Sequence, residues 1–131
     1  RGGALAVTAT GVEEEEQEPD HSWIHIRGIY DIFLKLVINE ACDVKTLKQF
    51  ITSNFISEFL QLFDCDLVEE RDFLKNILHK LYAKLVPRRK MIRKAITDCF
   101  HLLIHEIHED RERTGFFFHY IYSTRYITGI Q

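Results

Sequence analysis

The chain has 131 residues, of which 46% are hydrophobic, enough to bury the core of one ordinary domain or of a few units of a repeat array. Three dispersed cysteines, Cys42, Cys65 and Cys99, match no metal-binding spacing and are typical of reduced thiols in the cytosol or nucleus. No apolar run approaches the roughly 18 residues that a membrane span needs. The chain begins without a methionine, which suggests a fragment or an incomplete gene model.

Acidic and basic residues are segregated along the chain, although the formal net charge is only -3. Acidic residues collect at 13–18, at 64–72 and at 106–112, whereas residues 75–94 are rich in Lys and Arg and contain no Asp or Glu. Such a chain presents a positive face between negative ones. We therefore expect an anionic partner on the positive face.

Residues 1–20 combine small residues with a run of glutamates and offer little to bury, so we predict a disordered acidic segment. A first helix is predicted from Trp23 to about Ile38, because apolar residues recur there at helical spacing. Its predicted apolar face consists of Ile26, Ile29, Tyr30, Phe33, Leu34 and Val37. After a turn, a short helix is predicted at about 46–52, and a further helix opens at Ser53 or Asn54.

The next helix is the longest, and it carries two stripes of side chains. Asp66 and Glu69 have the offset of a capping box, which predicts where this helix begins. One stripe is apolar and is assigned to the core: Leu67, Leu74, Leu78, Leu81 and Leu85, with Ile77 at its edge. A second stripe beside it contains Lys75, His79, Tyr82 and Val86. Such a stripe could form the cationic and aromatic rim of a binding groove. It could equally consist of half-buried residues that only pack against their neighbours.

Pro87 is placed as the first residue of another helix, where its missing N–H costs nothing, and this helix extends to about His108. Its predicted buried face consists of Met91, Ile92, Ile96, Cys99, Phe100, Leu103, Ile104 and Ile107. His101, His105 and His108 share the opposite face at a spacing that could hold zinc, but such histidines more often line a solvated face, so no metal site is predicted. The aromatic segment 116–127 is predicted to be helical from its context.

Five or six helices in succession predict an all-α chain. From the pattern alone, a closed helical bundle and an α-solenoid are equally compatible with these helices. The run RDFLKNILHKLYAKL, followed by IRKAI, resembles the run RDFLK–LHR-YGKF and IRK-I of the B-prime family of regulatory subunits of protein phosphatase 2A. The segments EEEEQEP, SWIH and FISEFLQLFD are similar to that family's acidic loop, to its SWPH and to its FVL-LLELFD, in the same order.

The resemblance covers roughly residues 13–131 and implies a HEAT-like α-solenoid of about two to three helical repeats across residues 21–131. It implies a non-catalytic regulatory subunit that binds the scaffold and catalytic subunits of a serine/threonine phosphatase. Such subunits select substrates through a groove that accepts short acidic peptides of the pattern Leu-x-x-Ile-x-Glu. The family's groove positions carry over onto Lys75, His79, Lys80, Tyr82, Val86 and Arg89, with Tyr122 and Tyr126 from the last helix. Its acidic loop, which faces the catalytic subunit, carries over onto Glu13, Glu14, Glu15, Glu16 and Glu18.

Three groove positions depart from the family pattern. Lys80 stands where the family has arginine, so a two-bond clamp on a carboxylate becomes a single point charge. Tyr122 and Tyr126 stand where the family has smaller aliphatic residues, and their rings could fill the pocket meant for the peptide. Either the motif preference has changed or this chain no longer binds the motif.

No phosphate-binding glycine loop, nucleophile elbow or HExxH motif is present, so an enzyme is not predicted, and no cofactor is implied. Two other functions stay open. One is a stand-alone helical-repeat adaptor. The other is a nucleic-acid-binding protein that uses the basic tract 75–94, with Arg88, Arg89, Lys90, Arg93 and Lys94 holding phosphates. The confinement of the basic residues to one tract and the net acidic charge disfavour the second. We expect a cytoplasmic or nuclear location.

Overall fold

The computed structural model describes residues 21–107 together with Arg125, Ile127 and Gly129. The helices of this part are α1 (His21–Ile38), α2 (Val44–Phe50), α3 (Ser53–Gln61), α4 (Val68–Lys84) and α5 (Arg89–Ile107), with a 3₁₀ turn at Val86–Arg88. No strand occurs among the described residues, and the all-α prediction is confirmed. The predicted acidic segment 1–20 lies outside them. Of the helix predicted at 116–127, only Arg125 and Ile127 are described, and both are helical.

The helices pack as stacked pairs. Helix α1 packs on α4, and α3 packs on α5, while the 3₁₀ turn joins α4 directly to α5. One layer therefore contains α1 and α4, and the other contains α3 and α5. Stacking of one helix pair on the next is the arrangement of a helical-repeat solenoid, which the sequence pattern alone did not distinguish from a closed bundle. No helix within residues 21–107 is both long and apolar enough to cross a membrane.

The core lies between the two layers and includes most of the predicted stripe of α4. Twelve of its side chains are at most 3% exposed: Val37, Leu47, Ile51, Ile56, Leu60, Phe63, Leu74, Ile77, Leu78, Leu81, Leu85 and Ile92. The prediction is wrong for Leu67, which is 41% exposed. Leu67 precedes α4 in an extended conformation (φ -80°, ψ 117°), so helical periodicity does not set its direction.

The structure confirms one predicted helix start and corrects another. Helix α3 begins at Ser53 as predicted, and Thr52 caps it, because the Thr52 hydroxyl accepts a hydrogen bond from the Phe55 N–H at 3.1 Å. By contrast, Pro87 lies in the 3₁₀ turn, and α5 begins two residues later at Arg89.

The capping box predicted for α4 is not formed, because the carboxylates at this end bind α1 instead. Leu67 is the N-cap of α4 and makes no side-chain capping bond. Glu69 accepts a hydrogen bond from Trp23 Nε1 at 3.2 Å and pairs with Arg27 at 3.3 Å. Beside it, the Tyr30 hydroxyl donates to Glu70 at 2.9 Å. The pKa of Tyr30 is raised far above its usual range, mainly because the hydroxyl is partly buried and also because of this hydrogen bond. These bonds hold α1 across the first turns of α4.

The far end of α1 is also tied to α4, through Lys84. Its ammonium group donates to the carbonyl oxygens of Val37 at 2.7 Å and Asn39 at 2.9 Å. Carbonyls at the end of a helix lack an intrahelical partner and favour a nearby cation. Lys84 of α4 therefore caps the C-terminal end of α1 and holds the two helices of this layer together.

Helix α5 buries a narrower face than predicted. Ile92, Ile96 and Leu103 are buried, as is Ala95, which was not predicted. Met91, Cys99 and Phe100 are only half-buried, and the side chain of Ile107 lies outside the described residues. Ile104 is 36% exposed, so the prediction is wrong there, because α5 meets α3 along a narrower strip than its apolar residues cover.

Helix α1 exposes an apolar stripe that the sequence pattern had partly assigned to the core. Ile29, Ile32 and Leu36 are 65%, 71% and 49% exposed, and Ile26 is 36% exposed. The prediction is therefore wrong for Ile26 and Ile29, because α4 covers only the opposite side of α1. The stripe borders an open groove of about 390 Å³ between α1 and α3, lined by Ile29, Tyr30, Phe33, Phe55, Glu58, Phe59 and Leu62.

We expect the 131-residue chain to self-associate through this stripe, because contiguous exposed apolar surface is rarely stable in water. The substitution Ile32→Lys should shift the chain towards monomer by placing a charge in the middle of the stripe. Sedimentation velocity over a range of protein concentrations measures this shift. Gln49→Lys, at an exposed polar position of α2, is the matched control. A wild-type chain that stays monomeric at every concentration would contradict the expectation.

Candidate functional site

The candidate site begins on the face of α4 that carries the second stripe. Lys75 and His79 are half-buried and, together with Asp72 and Asn76, they line an open depression of about 270 Å³. The sequence pattern predicts Lys75 and His79 here, but not the carboxylate of Asp72 beside them. The depression is thus less positive than the basic tract suggests.

Tyr82 continues this stripe along α4, but its side chain belongs to the buried core. It is only 9% exposed, and the guanidinium carbon of Arg89 lies 5.1 Å from the centre of its ring. Its hydroxyl accepts a hydrogen bond from Arg93 Nη1 at 2.8 Å. The ring is therefore held by two arginines of the following segment, one across its face and one at its edge.

Arg89 is bound to the backbone of α4. Its Nε donates to the carbonyl oxygen of Tyr82 at 2.9 Å, and its Nη2 donates to that of Ala83 at 3.2 Å. Both carbonyls belong to the last turn of α4, where intrahelical donors are absent and the helix dipole favours a cation. Arg89 thus serves as a cap for α4, and this role was not anticipated from the sequence.

The remaining predicted groove residues do not all join this cluster. Lys80 lines a different depression, with Glu40 at the end of α1, because it is rotated about 160° around the helix from Tyr82. Val86 is 59% exposed in the 3₁₀ turn. The other two predicted groove positions, Tyr122 and Tyr126, and the five glutamates of the acidic loop lie outside the described residues, as does His108. His101 and His105 are exposed on α5, and no group of three potential metal ligands occurs in the part of the chain that the structure describes.

The start of α5 and the turn before it carry several cations that have no carboxylate partner among the described residues. Lys94 pairs with Asp98 at 2.9 Å, but no carboxylate within the described residues pairs with Arg88, Arg89, Lys90 or Arg93. The side-chain Nε of Arg88 is buried without a hydrogen-bond partner there. The basic residues of this region therefore follow the Lys75–His79 stripe along the chain, from α4 into the start of α5.

Comparison with known proteins gives a consistent family. The family model of the protein phosphatase 2A regulatory B subunit (B56 family) matches residues 4–128. The B' theta isoform of the Arabidopsis thaliana 57 kDa regulatory subunit is 38% identical over 100 residues, which are 76% of this chain and 20% of that protein.

Two further relatives agree. The Arabidopsis thaliana B' beta isoform is 39% identical over 94 residues, 72% of this chain and 19% of the relative. The B' kappa isoform of Oryza sativa subsp. japonica is 37% identical over 96 residues, again 72% of this chain and 19% of the relative. The chain spans about a fifth of the length of these curated relatives. It belongs to the B56 family of protein phosphatase 2A regulatory B subunits.

Proposed function

We propose that this chain acts as a non-catalytic regulatory subunit of a serine/threonine phosphatase and selects substrates by binding a short acidic peptide along α4 and the start of α5. The observation that carries this proposal is the line formed by Lys75, His79 and Tyr82, which continues into a basic segment without carboxylate partners among the described residues. Membership of the B56 family supports the same role.

The arrangement suits an extended peptide with one acidic and two apolar anchors. Lys75 and His79, the latter when protonated, offer charge-assisted hydrogen bonds to a carboxylate. The exposed Val86 offers apolar surface further along, in the 3₁₀ turn after α4, whereas Tyr82 is only 9% exposed. A groove that recognises a short linear motif contacts only a few side chains of the peptide, and these side chains anchor it. The pattern Leu-x-x-Ile-x-Glu is the peptide class that we propose.

We expect His79→Ala to weaken binding of a synthetic Leu-x-x-Ile-x-Glu peptide by about 1–3 kcal/mol, the range for loss of a charge-assisted contact. In the same assay, Asp72→Asn should strengthen binding, because it removes a carboxylate from the depression that receives an acidic ligand. Fluorescence polarisation with a labelled peptide measures both changes. Lys80→Ala is the control, since Lys80 lines a different depression and should change the affinity little. Unchanged affinity in His79→Ala would remove the depression from the proposed groove.

Assembly with a phosphatase is a separate part of the proposal. We propose that the scaffold and catalytic subunits bind this chain and that the acidic run Glu13, Glu14, Glu15, Glu16 and Glu18 faces the catalytic subunit, in the cytoplasm or the nucleus. Affinity capture from a cell extract, probed for both subunits, tests the assembly, and glutamine at the five positions should reduce recovery of the catalytic subunit. Capture of neither subunit would favour a stand-alone adaptor.

Several cations at the start of α5 pair with no carboxylate in the part of the chain that the structure describes, and they keep one alternative open, the binding of nucleic acid. A protein that neutralises several phosphates loses affinity steeply as salt rises and shows little dependence on sequence. Titration of a mixed-sequence oligonucleotide at two salt concentrations tests this alternative. If the chain binds the oligonucleotide tightly and with a steep salt dependence but does not bind the acidic peptide, the result would favour nucleic-acid binding over the peptide groove.

A further inference from the structure

Helix α1 contains an exposed glycine that no contact within the described residues requires. Gly28 lies in the middle of this 18-residue helix, where glycine is less favourable than alanine. A Cβ atom added at Gly28 would meet no atom of a neighbouring helix within 4 Å in the part of the chain that the structure describes. Glycine at this position therefore does not serve packing among these helices. It would serve a close approach by the backbone of another helix, which a side chain would prevent.

Gly28 interrupts a row of exposed apolar side chains on α1. The row has a spacing of four residues, and Ile24, Ile32 and Leu36 are 53%, 71% and 49% exposed. At about 100° per residue, the row lies on the side of α1 opposite to the buried Val37, so α4 does not cover it. The glycine leaves a notch between Ile24 and Ile32, about 6 Å along the helix axis from each.

We propose that this row, formed by Ile24, Gly28, Ile32 and Leu36, binds a second copy of the chain, with the two α1 helices crossing at Gly28. Side chains four residues apart form a ridge, and packed helices place the ridge of one helix in the groove of the other. A row that contains both a notch and projecting isoleucines can complement itself. In a two-fold pair, the isoleucines of each copy flank the glycine of the other, and the same patch is used twice.

The exposed area of this surface fits a weak dimer. Burial of the exposed parts of Ile24, Ile29, Ile32 and Leu36 would remove roughly 200–400 Å² of apolar surface per copy. Because only a little over half of such an interface is apolar, each copy would bury roughly 400–700 Å² in total. A stable complex buries about 800 Å² per partner, so we expect a dimer that dissociates on dilution. The row contains no charged residue, as is typical of the centre of an interface.

The test compares Gly28→Leu with Gln49→Leu by sedimentation velocity over a range of protein concentrations. Gly28→Leu fills the notch and should raise the dissociation constant of the dimer about tenfold or more, although it adds apolar surface. Gln49→Leu adds the same side chain at an exposed position of α2 and should change the constant by less than about twofold. Nonspecific hydrophobic attraction would give the opposite result for Gly28→Leu, because an added leucine would then strengthen the association.

Gly28→Ala separates association from folding. Its Cβ atom should hold the two backbones apart and raise the dissociation constant about threefold or more. At a concentration where the chain is monomeric, the same change should raise the melting temperature by about 3–6 °C, because alanine favours the helix. A variant whose monomer is more stable and whose dimer is weaker would identify Gly28 as a contact between copies.

The symmetry of the pair is tested with Gly28→Cys. A crossing at Gly28 places the two substituted positions opposite each other, within the short distance that a disulfide spans. Oxidised glutathione should therefore link two copies faster in this variant than in Gln49→Cys or in wild type, whose three cysteines are half-buried. Equal rates of linkage in the three proteins would overturn the crossing at Gly28.

Two results of the sedimentation experiment would overturn the proposal as a whole. One is an unchanged or tighter association in Gly28→Leu. The other is a wild-type chain that stays monomeric at every concentration. If the leucine variant of such a monomer melts at a lower temperature, the notch instead receives another segment of the same chain.

Discussion

Leu78→Ala should lower the free energy of unfolding by about 2–5 kcal/mol, the range for removing a fully buried leucine. Leu78 is 0% exposed and lies in the middle of α4, where it contributes to the core between the two layers. The loss combines the transfer free energy of the removed atoms with the cavity that remains. For a domain of ordinary stability, this is a large share of the total.

Leu67→Ala is the matched control, because the sequence pattern placed both leucines in one stripe whereas the structure leaves Leu67 41% exposed. It should cost less than about 1 kcal/mol. Urea denaturation followed by circular dichroism measures both variants, at several protein concentrations so that self-association is separated from folding. Equal losses in the two variants would mean that helical periodicity extends through Leu67, contrary to the extended conformation described there.

A second large effect is expected from Arg89→Glu, which should lower the free energy of unfolding by about 2–4 kcal/mol without any ligand present. The variant loses two charge-assisted hydrogen bonds to the Tyr82 and Ala83 carbonyls. It also places a carboxylate beside the negative end of the α4 dipole and uncovers the Tyr82 ring. The family resemblance alone would assign Arg89 to the peptide, and then only binding would suffer.

Thermal unfolding of the free protein distinguishes these two roles. Lys90→Glu makes the same charge change one residue later, at an exposed position that pairs with no carboxylate among the described residues, and should leave the melting temperature nearly unchanged. Arg89→Lys should give an intermediate loss, because one ammonium replaces a fork of donors. A free Arg89→Glu protein that melts like wild type would return Arg89 to the role of a peptide contact.

Helix content and the core face of α4 could be predicted from local pattern, because the period of about 3.6 residues relates side chains within one helix. Leu74, Leu78, Leu81 and Leu85 are buried as that period requires. The helix ends were predicted less well, because capping side chains have competing partners. Glu69, which has the spacing of a capping residue, instead binds Trp23 of α1.

The depth of burial on α5 was overestimated for a different reason, the width of its contact with a neighbouring helix. Phe100 belongs to the predicted apolar face, which would imply a loss of about 3–5 kcal/mol for Phe100→Ala. It is half-buried in the structure, so a smaller loss is expected. Periodicity identifies which residues share a face, but the width of the contact with α3 decides how many of them are covered.

From its residues alone the chain specifies consecutive helices, the family to which it belongs, and a face of α4 that carries Lys75, His79 and Tyr82, since each of these depends on local spacing. The contacts of the two arginines were decided by helix packing. Arg89 and Arg93 follow Pro87, beyond the last turn of α4, and their positions relative to Tyr82 depend on how α5 returns along α4. Arg89 donates to the carbonyl oxygens at the end of α4, whereas Arg93 donates to the Tyr82 hydroxyl. A periodic pattern cannot distinguish the two, because the groups that compete for each guanidinium belong to another helix.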